Sequence, residues 1–292
     1  MVNKFPPWEI MLRLNILHLS DLHHRGHSTG DQQIVVDALK KDLGEIKSQT
    51  EIDLIVFSGD LVQAGYSEKN FEEASADLLQ PVLDTFSLER SRIAICPGNH
   101  DIDCEVVRKQ GFIETGLQQT LRDRASINSF IDQYVGTDIS GSSLPEAFWR
   151  MRHFYKSVWH PLVADGWSVS PFSAIQKIEI KGVKIAVCSF NSSWRCTGEG
   201  GDSDKGSLII GERAIDLTIA STEDAALRIA VFHHPLDWLV ESDRTAVESR
   251  LHAKFDIFFY GHVHNTIPSY TKAPMGSDIL PNRMSIPESR LL

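Results

Sequence analysis

The sequence predicts an α/β fold, a two-sheet β-sandwich flanked by helices and carrying a helical insertion. Three observations lead there. Short apolar runs alternate with amphipathic stretches over the first hundred residues, the pattern of parallel strands joined by helical crossovers. A second group of β-branched runs, from Ile175 onward, opens with a hairpin and so begins a second sheet. Between them lies a stretch with helical periodicity and no strand–helix alternation.

In order, residues 1–12 read as an N-terminal arm, and Ile16–Leu19 as the first strand, ending in Ser20-Asp21-Leu22-His23. Asp31 is the expected N-cap of a crossover helix whose apolar positions include Ile34, Val35, Ala38, Leu39, Leu43 and Ile46. Asp53–Ser58 is the second strand and delivers Gly59-Asp60. Glu68–Leu83 is helical, with a stop or kink expected at Pro81. Arg92–Cys96 is the third strand, turned by Pro97-Gly98 into Asn99-His100-Asp101.

Residues 103–167 form the insertion. Ile127, Phe130, Ile131 and Tyr134, then Phe148 to Trp159, predict helices split by a loop over Gly136–Pro145. Its position just after His100 favours a substrate-selecting cap over a decoration on the side of the sheet. Ile175–Ile180 and Val183–Phe190 make the hairpin through Lys181-Gly182. Asn191–Trp194 is placed to line a cleft, and Cys196–Gly206 reads as a mobile Gly- and Asp-rich loop. A helix near Glu212–Ala220, a strand Leu227–Phe232 ending in His233-His234, a helix Thr245–His252 and a strand Phe255–Tyr260 ending in Gly261-His262-Val263-His264 follow. The domain thus spans 13–264, and residues 265–292 form an irregular tail, the mark either of a short chain or of a piece of a longer one.

Composition narrows the function. Net charge is 29 − 39 = −10, so the chain has no overall attraction for polyanions and reads poorly as a binder of long duplexes, although nucleic acid remains an alternative partner. The four cysteines have no zinc-like spacing; Cys96 and Cys188 read as core residues, with a Cys104–Cys196 disulfide left open. The sequence shows no secretory signal and no run near the roughly 18 apolar residues of a spanning helix, so a cytoplasmic, reduced protein away from membranes is expected.

The chemistry lies at the strand ends. Seven of the twelve histidines fall within five short segments (Asn15–His23, Gly59-Asp60, Gly98–Asp101, His233–Pro235 and Gly261–His264), a sorting that scattered core or surface histidines would not show. In open α/β sheets such ends are where ligands bind. Together, D-x-H, G-D, G-N-H-D, H-H and G-H-x-H, in this order from about Leu14 to His264, resemble the calcineurin-like metallophosphoesterase superfamily. The resemblance implies two divalent transition-metal ions (Mn²⁺, Fe²⁺/Fe³⁺ or Zn²⁺), one held by Asp21, His23, Asp60 and His264, the other by Asp60, Asn99, His233 and His262. It implies a hydroxide between the ions that attacks a phosphate ester in line, most readily a phosphodiester. His100 takes the place of the family's non-ligand histidine, which steadies phosphate and protonates the leaving oxygen. Asp101 is expected either to orient that imidazole or to cap the next segment.

His24 and His234, each beside a ligand, are expected in supporting roles behind the site, since consecutive side chains seldom both face it. His18 reads as a hydrogen-bonded core histidine, and His153 and His160 as helix-surface residues with substrate contact the alternative. Trp194 reads as packing rather than base stacking, and Arg25 and Arg195 as solvated charges rather than phosphate ligands. A nuclease of the same superfamily is the alternative activity, and a metal-stabilised binding module without catalysis the alternative class.

Overall fold

The structure, a computed structural model, describes residues 13–26 and 30–263; the expected arm and tail and the expected ligand His264 lie outside them. Two sheets are flanked by helices. In the first, β1 (Ile16–Leu19), β2 (Leu54–Phe57) and β3 (Ile93–Ile95) run parallel in that order, with Leu19 opposite Phe57 and Phe57 opposite Ile95. All of β2 and β3 is buried, as the unbroken apolar runs Leu54–Phe57 and Ile93–Ile95 require of strands covered on both faces. The crossover α1 (Gly30–Gln49) connects β1 to β2.

The second sheet has the order β4 (Ser168–Val169), β5 (Ser173–Ile180), β6 (Val183–Phe190), β7 (Leu227–Val231) and β8 (Ile257–Phe259). β4, β5 and β6 pair antiparallel, while β6, β7 and β8 are parallel. The hairpin turns where expected, with Lys181 and Gly182 both at positive φ (52° and 80°), as a two-residue turn of that hand demands. β3 packs beside β6, so the two sheets bring the carboxyl ends of β1, β2, β3, β7 and β8 to one edge.

Several expectations are revised. The helical run after Glu68 does not stop at Pro81: α2 (Glu68–Ala74) passes through a π turn (Ser75–Leu79) into α3 (Gln80–Phe86). Pro81 follows directly on the π turn, and the run continues through it with Leu79 and Gln80 still helical. The insertion begins with two helices the periodicity did not reveal, α4 (Cys104–Lys109) and α5 (Gly111–Thr120), before α6 (Arg124–Tyr134). From Glu146 to Asp165 it is one helical run of 3-10, α and π turns, including α7 (Arg152–Phe154) and α8 (His160–Leu162). The remaining helices are α9 (Glu212–Ser221) and α10 (Glu241–Lys254).

The insertion is fastened to the sheets by aromatics and buried charge. Phe130 of α6 stacks on Trp194 with ring centroids 5.4 Å apart, and Phe148 and Phe172 surround the pair. Trp194 is fully buried and donates its indole N–H to the Ile209 carbonyl, which rules out the base-stacking alternative. Arg195 is no solvated charge either: it is buried and bonds Glu114 at 3.0 Å, and Glu114 also pairs with the buried Arg150. Residues 196–206 fold back as turns tied by Asp204, whose carboxylate accepts the Thr197 N–H and hydroxyl. All four cysteines are free thiols, which settles the Cys104–Cys196 question against a disulfide.

Candidate metal centre

The ends of β1, β2 and β8 leave their sheets in a conformation that side-chained residues rarely adopt. Among the described residues six non-glycine residues have positive φ, and four of them are expected ligands: Asp21 (56°), His23 (49°), Asp60 (57°) and His262 (68°). A left-handed backbone costs such residues roughly 1–2 kcal/mol each, and strain of this kind gathers at functional sites. Asp and His tolerate it better than most residues. The turns hold because loops bond to one another: the Asp21 N–H reaches the Gly59 carbonyl (3.0 Å), the His23 N–H the Asp60 carbonyl (3.0 Å), and the Gly261 N–H the His233 carbonyl (3.0 Å). Gly98 is obligatory here, since any side chain would occupy the space of the Asp60 carboxylate.

Asp60 is the meeting point. Its buried carboxylate accepts the His100 backbone N–H at Oδ1 (2.8 Å), while Oδ2 lies 3.3 Å from His233 Nε2 and 3.7 Å from His23 Nε2. Asn99 Oδ1 lies 3.2 Å from His233 Nε2 and 2.9 Å from His262 Nδ1, and the two imidazole nitrogens are 3.3 Å apart. On the other side of Asp60, Asp21 Oδ1 is 3.9 Å from His23 Nε2. Thus Asp21, His23, Asp60, Asn99, His233 and His262 come together at one place, and His264 lies outside the described residues.

Electrostatics follow this geometry. Burial alone would raise the Asp60 carboxyl, but His233 and His100 hold it well below the usual carboxylate range. Burial would likewise depress His233, yet Asp60 and Asp21 raise it to about 9. The His233 Nδ1–H donates to the Ser58 carbonyl at 2.7 Å, which aims Nε2 at Asp60 and Asn99. The donor set suits a divalent transition metal, mixing carboxylate, amide and imidazole donors. Asp21 Oδ1 also fits one, being buried without a hydrogen-bond donor among the described residues.

His100 sits at the rim, its ring edge-to-face with His23 at 4.6 Å. Its Nδ1 lies 3.0 Å from the Gln63 carbonyl oxygen, a partner with no motif to announce it. Asp101 does neither thing expected of it. Its carboxylate accepts the backbone N–H groups of Leu61 (3.2 Å), Val62 (3.0 Å) and Gly98 (2.8 Å), while Asp103 caps the following helix α4. Burial, then the neighbouring Asp60, pushes Asp101 up to about 7. Asp101 therefore clamps the loop after β2 to the loop after β3.

His24 is buried, bonds Asp77 through Nε2 (2.8 Å) and takes the Gly26 N–H at Nδ1 (3.2 Å). His234 is buried behind the site, with Ser192 Oγ at 2.8 Å from Nδ1 and Cys196 Sγ at 3.7 Å from Nε2, and burial keeps it neutral. A ring nitrogen of His234 also lies within 4.8 Å of His233 and His262 nitrogens. His18 bonds Ser58 Oγ (2.8 Å), and burial lowers it to about 4. His153 is half-buried between Asp103 and Glu68 (3.8 and 3.9 Å), His160 is exposed, and so is Arg25.

The family model for calcineurin-like phosphoesterases matches residues 14–266. The chain belongs to that family. It is 21% identical over 263 residues to the uncharacterized metallophosphoesterase-like protein YydB of Bacillus subtilis (strain 168), covering 87% of this chain and 50% of that one. The chain therefore spans about half the length of this relative. Among solved structures it is similar to the NAD nucleotidase NadN of Haemophilus influenzae, with a TM-score of 0.39 and 12% identity over 86% of this chain and 38% of that one. No helix among the described residues is long and apolar enough to cross a membrane.

Proposed function

We propose that the chain is a metal-dependent phosphodiesterase whose site takes two divalent transition-metal ions on either side of Asp60. One observation carries the reading: side chains from five strand ends gather at one place, with the ends of β1, β3 and β7 meeting the buried Asp60 carboxylate and His262 joining through Asn99 and His233. Asp21 and His23 would hold one ion, with His264 the expected further ligand, and Asn99, His233 and His262 the other. Such a pair of ions supplies a low-pKa water and neutralises charge on the phosphoryl oxygens.

The protein's own groups do the rest. Asp60 links the two halves of the site, since its Oδ2 faces His23 of one and His233 of the other while the His100 N–H holds Oδ1. Asn99, a neutral ligand, leaves more positive charge facing substrate than a carboxylate would. The His100 imidazole would bond a phosphoryl oxygen and hand a proton to the leaving oxygen. Family membership and the donor set support this reading.

Protein loaded with Mn²⁺ is expected to release nitrophenol from bis-p-nitrophenyl phosphate. Absence of turnover with Mn²⁺, Fe²⁺, Zn²⁺ and Co²⁺ alike would overturn the reading. Faster cleavage of labelled DNA than of small diesters would move it to a nuclease.

A further inference from the structure

We infer that a pocket in the insertion binds a nucleobase and, through it, selects substrate for the site proposed above. Its role as a selector rests on the phosphodiesterase reading; the pocket itself stands on its lining. It lies between the loop 139–144, the helical run that follows and the start of α2, and encloses about 280 Å³. Small-molecule sites commonly enclose roughly 300–1,000 Å³, so this one takes a single ring system and not a whole nucleotide.

Two loops tie the pocket to the metal centre. Arg152 and His153 of its wall lie 2.8 and 3.8 Å from the Asp103 carboxylate. Asp103 is three residues past His100, a span of at most roughly 11 Å. The loop after β2 runs alongside, its Gly65 N–H on the Ile102 carbonyl at 3.1 Å, and leads to Glu68 in the opposite wall. His153 sits between the two loops, 3.9 Å from Glu68.

The lining chooses the ligand. Ile139 and Leu144 give an apolar floor beside Trp149, which is 37% exposed. The Leu144 carbonyl takes the Trp149 indole N–H at 2.7 Å, so what Trp149 has left to offer is its ring, a surface for stacking. Charge argues against a phosphate or carboxylate here. Glu68 matches Lys156 at 2.9 Å and Asp103 matches Arg152, so these pairs carry no net charge. His153 adds none: burial and then Arg152 hold it below its usual range, and its Nε2 accepts the Arg152 Nε–H at 3.0 Å. An uncharged ring with polar edges fits, since the Ser142 hydroxyl and the further guanidinium N–H groups of Arg152 can meet those edges. The loop is already shaped for it, because Asp138 accepts both the Ser140 N–H (2.9 Å) and the Ser140 hydroxyl (2.7 Å).

The test has two arms. In the first, adenosine, guanosine, cytidine and thymidine are titrated into the protein by calorimetry. At least one is expected to bind, and Trp149→Ala to weaken it about tenfold, the worth of one base–aromatic stack. Trp149→Phe keeps a ring and loses the indole N–H, and should bind within about threefold of the parent. Binding of none of the four overturns the inference; so does a Trp149→Phe variant as weak as Trp149→Ala, which would mean that the bond to Leu144 and not the ring matters. In the second arm, the p-nitrophenyl ester of the best nucleoside's 5′-phosphate is compared with ethyl p-nitrophenyl phosphate, which has no base. Trp149→Ala should lower the ratio of their kcat/KM values about tenfold. Equal losses on both esters would mark a structural role and overturn the selection of substrate by this pocket. Binding that depends on Trp149 in a protein that turns over neither ester would overturn the phosphodiesterase reading and support the base site.

Discussion

Two regions of this molecule bury charge, and they do so in opposite ways. Where the insertion meets the second sheet, buried charges are met by opposite charges or by backbone N–H groups. Glu212 pairs with Arg124 and Arg250 and takes the Asn128 amide, while Arg150 and Arg195 share Glu114. Asp243 accepts three backbone N–H groups, from Ile210 (2.9 Å), Gly211 (2.9 Å) and Glu212 (3.2 Å). At the strand ends, by contrast, Asp21 Oδ1 has no donor among the described residues, four ligand positions carry left-handed backbone, and imidazoles crowd one carboxylate. The first region spends its charge on holding two parts of the chain together. The second keeps donor capacity in reserve, as a site for a cation would.

Substitutions should separate the two by what they damage. The largest effect is expected at Asp60: Asp60→Asn keeps an oxygen for the His100 N–H but loses the shared charge, and activity should fall by at least about 10³-fold. Its unfolding midpoint in urea should move little. His233→Ala is next, removing a ligand from the more buried half; metal content should drop from two ions to one, with a loss of roughly 10²-fold or more.

At the insertion the order reverses. Arg150→Met leaves Glu114 with one fewer partner in a buried setting and should cost about 3–5 kcal/mol of stability in urea titration. Metal stoichiometry of the folded fraction should stay the same.

The smallest effect is a pH dependence at Asp243. Burial raises its carboxyl to about 6 despite the three N–H groups that favour the anion. The folded state then holds the proton more tightly than the unfolded chain, so this group's contribution to stability is fully present below the unfolded value and declines as pH rises through about 6. Asp243→Asn should flatten that part of the stability–pH curve. An unchanged slope between pH 4 and 7 would show that Asp243 does not titrate there.

The same contrast explains what was legible in the sequence. Strand ends were readable because their chemistry is local: Asp60 and His262 follow apolar runs directly, and the hairpin at Lys181-Gly182 is announced by its own turn residues. The insertion's fastening was not, since Arg195 meets Glu114 across 81 residues and Trp194 finds Phe130 only in the folded chain. Asp101 misled for a related reason. In sequence it adjoins His100, yet its partners Leu61 and Val62 lie about forty residues back. Gln63 carries no motif at all; only the folded chain brings its carbonyl oxygen to His100 Nδ1. The continuation of the helix past Pro81 depended on a π turn that periodicity does not encode.

Metal content measured on purified chain and on its Asp60→Asn variant tests the central claim most directly. Convergence on one shared carboxylate predicts two transition-metal ions per parent chain and at most one, weakly held, in the variant. A variant that keeps both ions at parental affinity would mean that Asp60 does not join the two halves of the site.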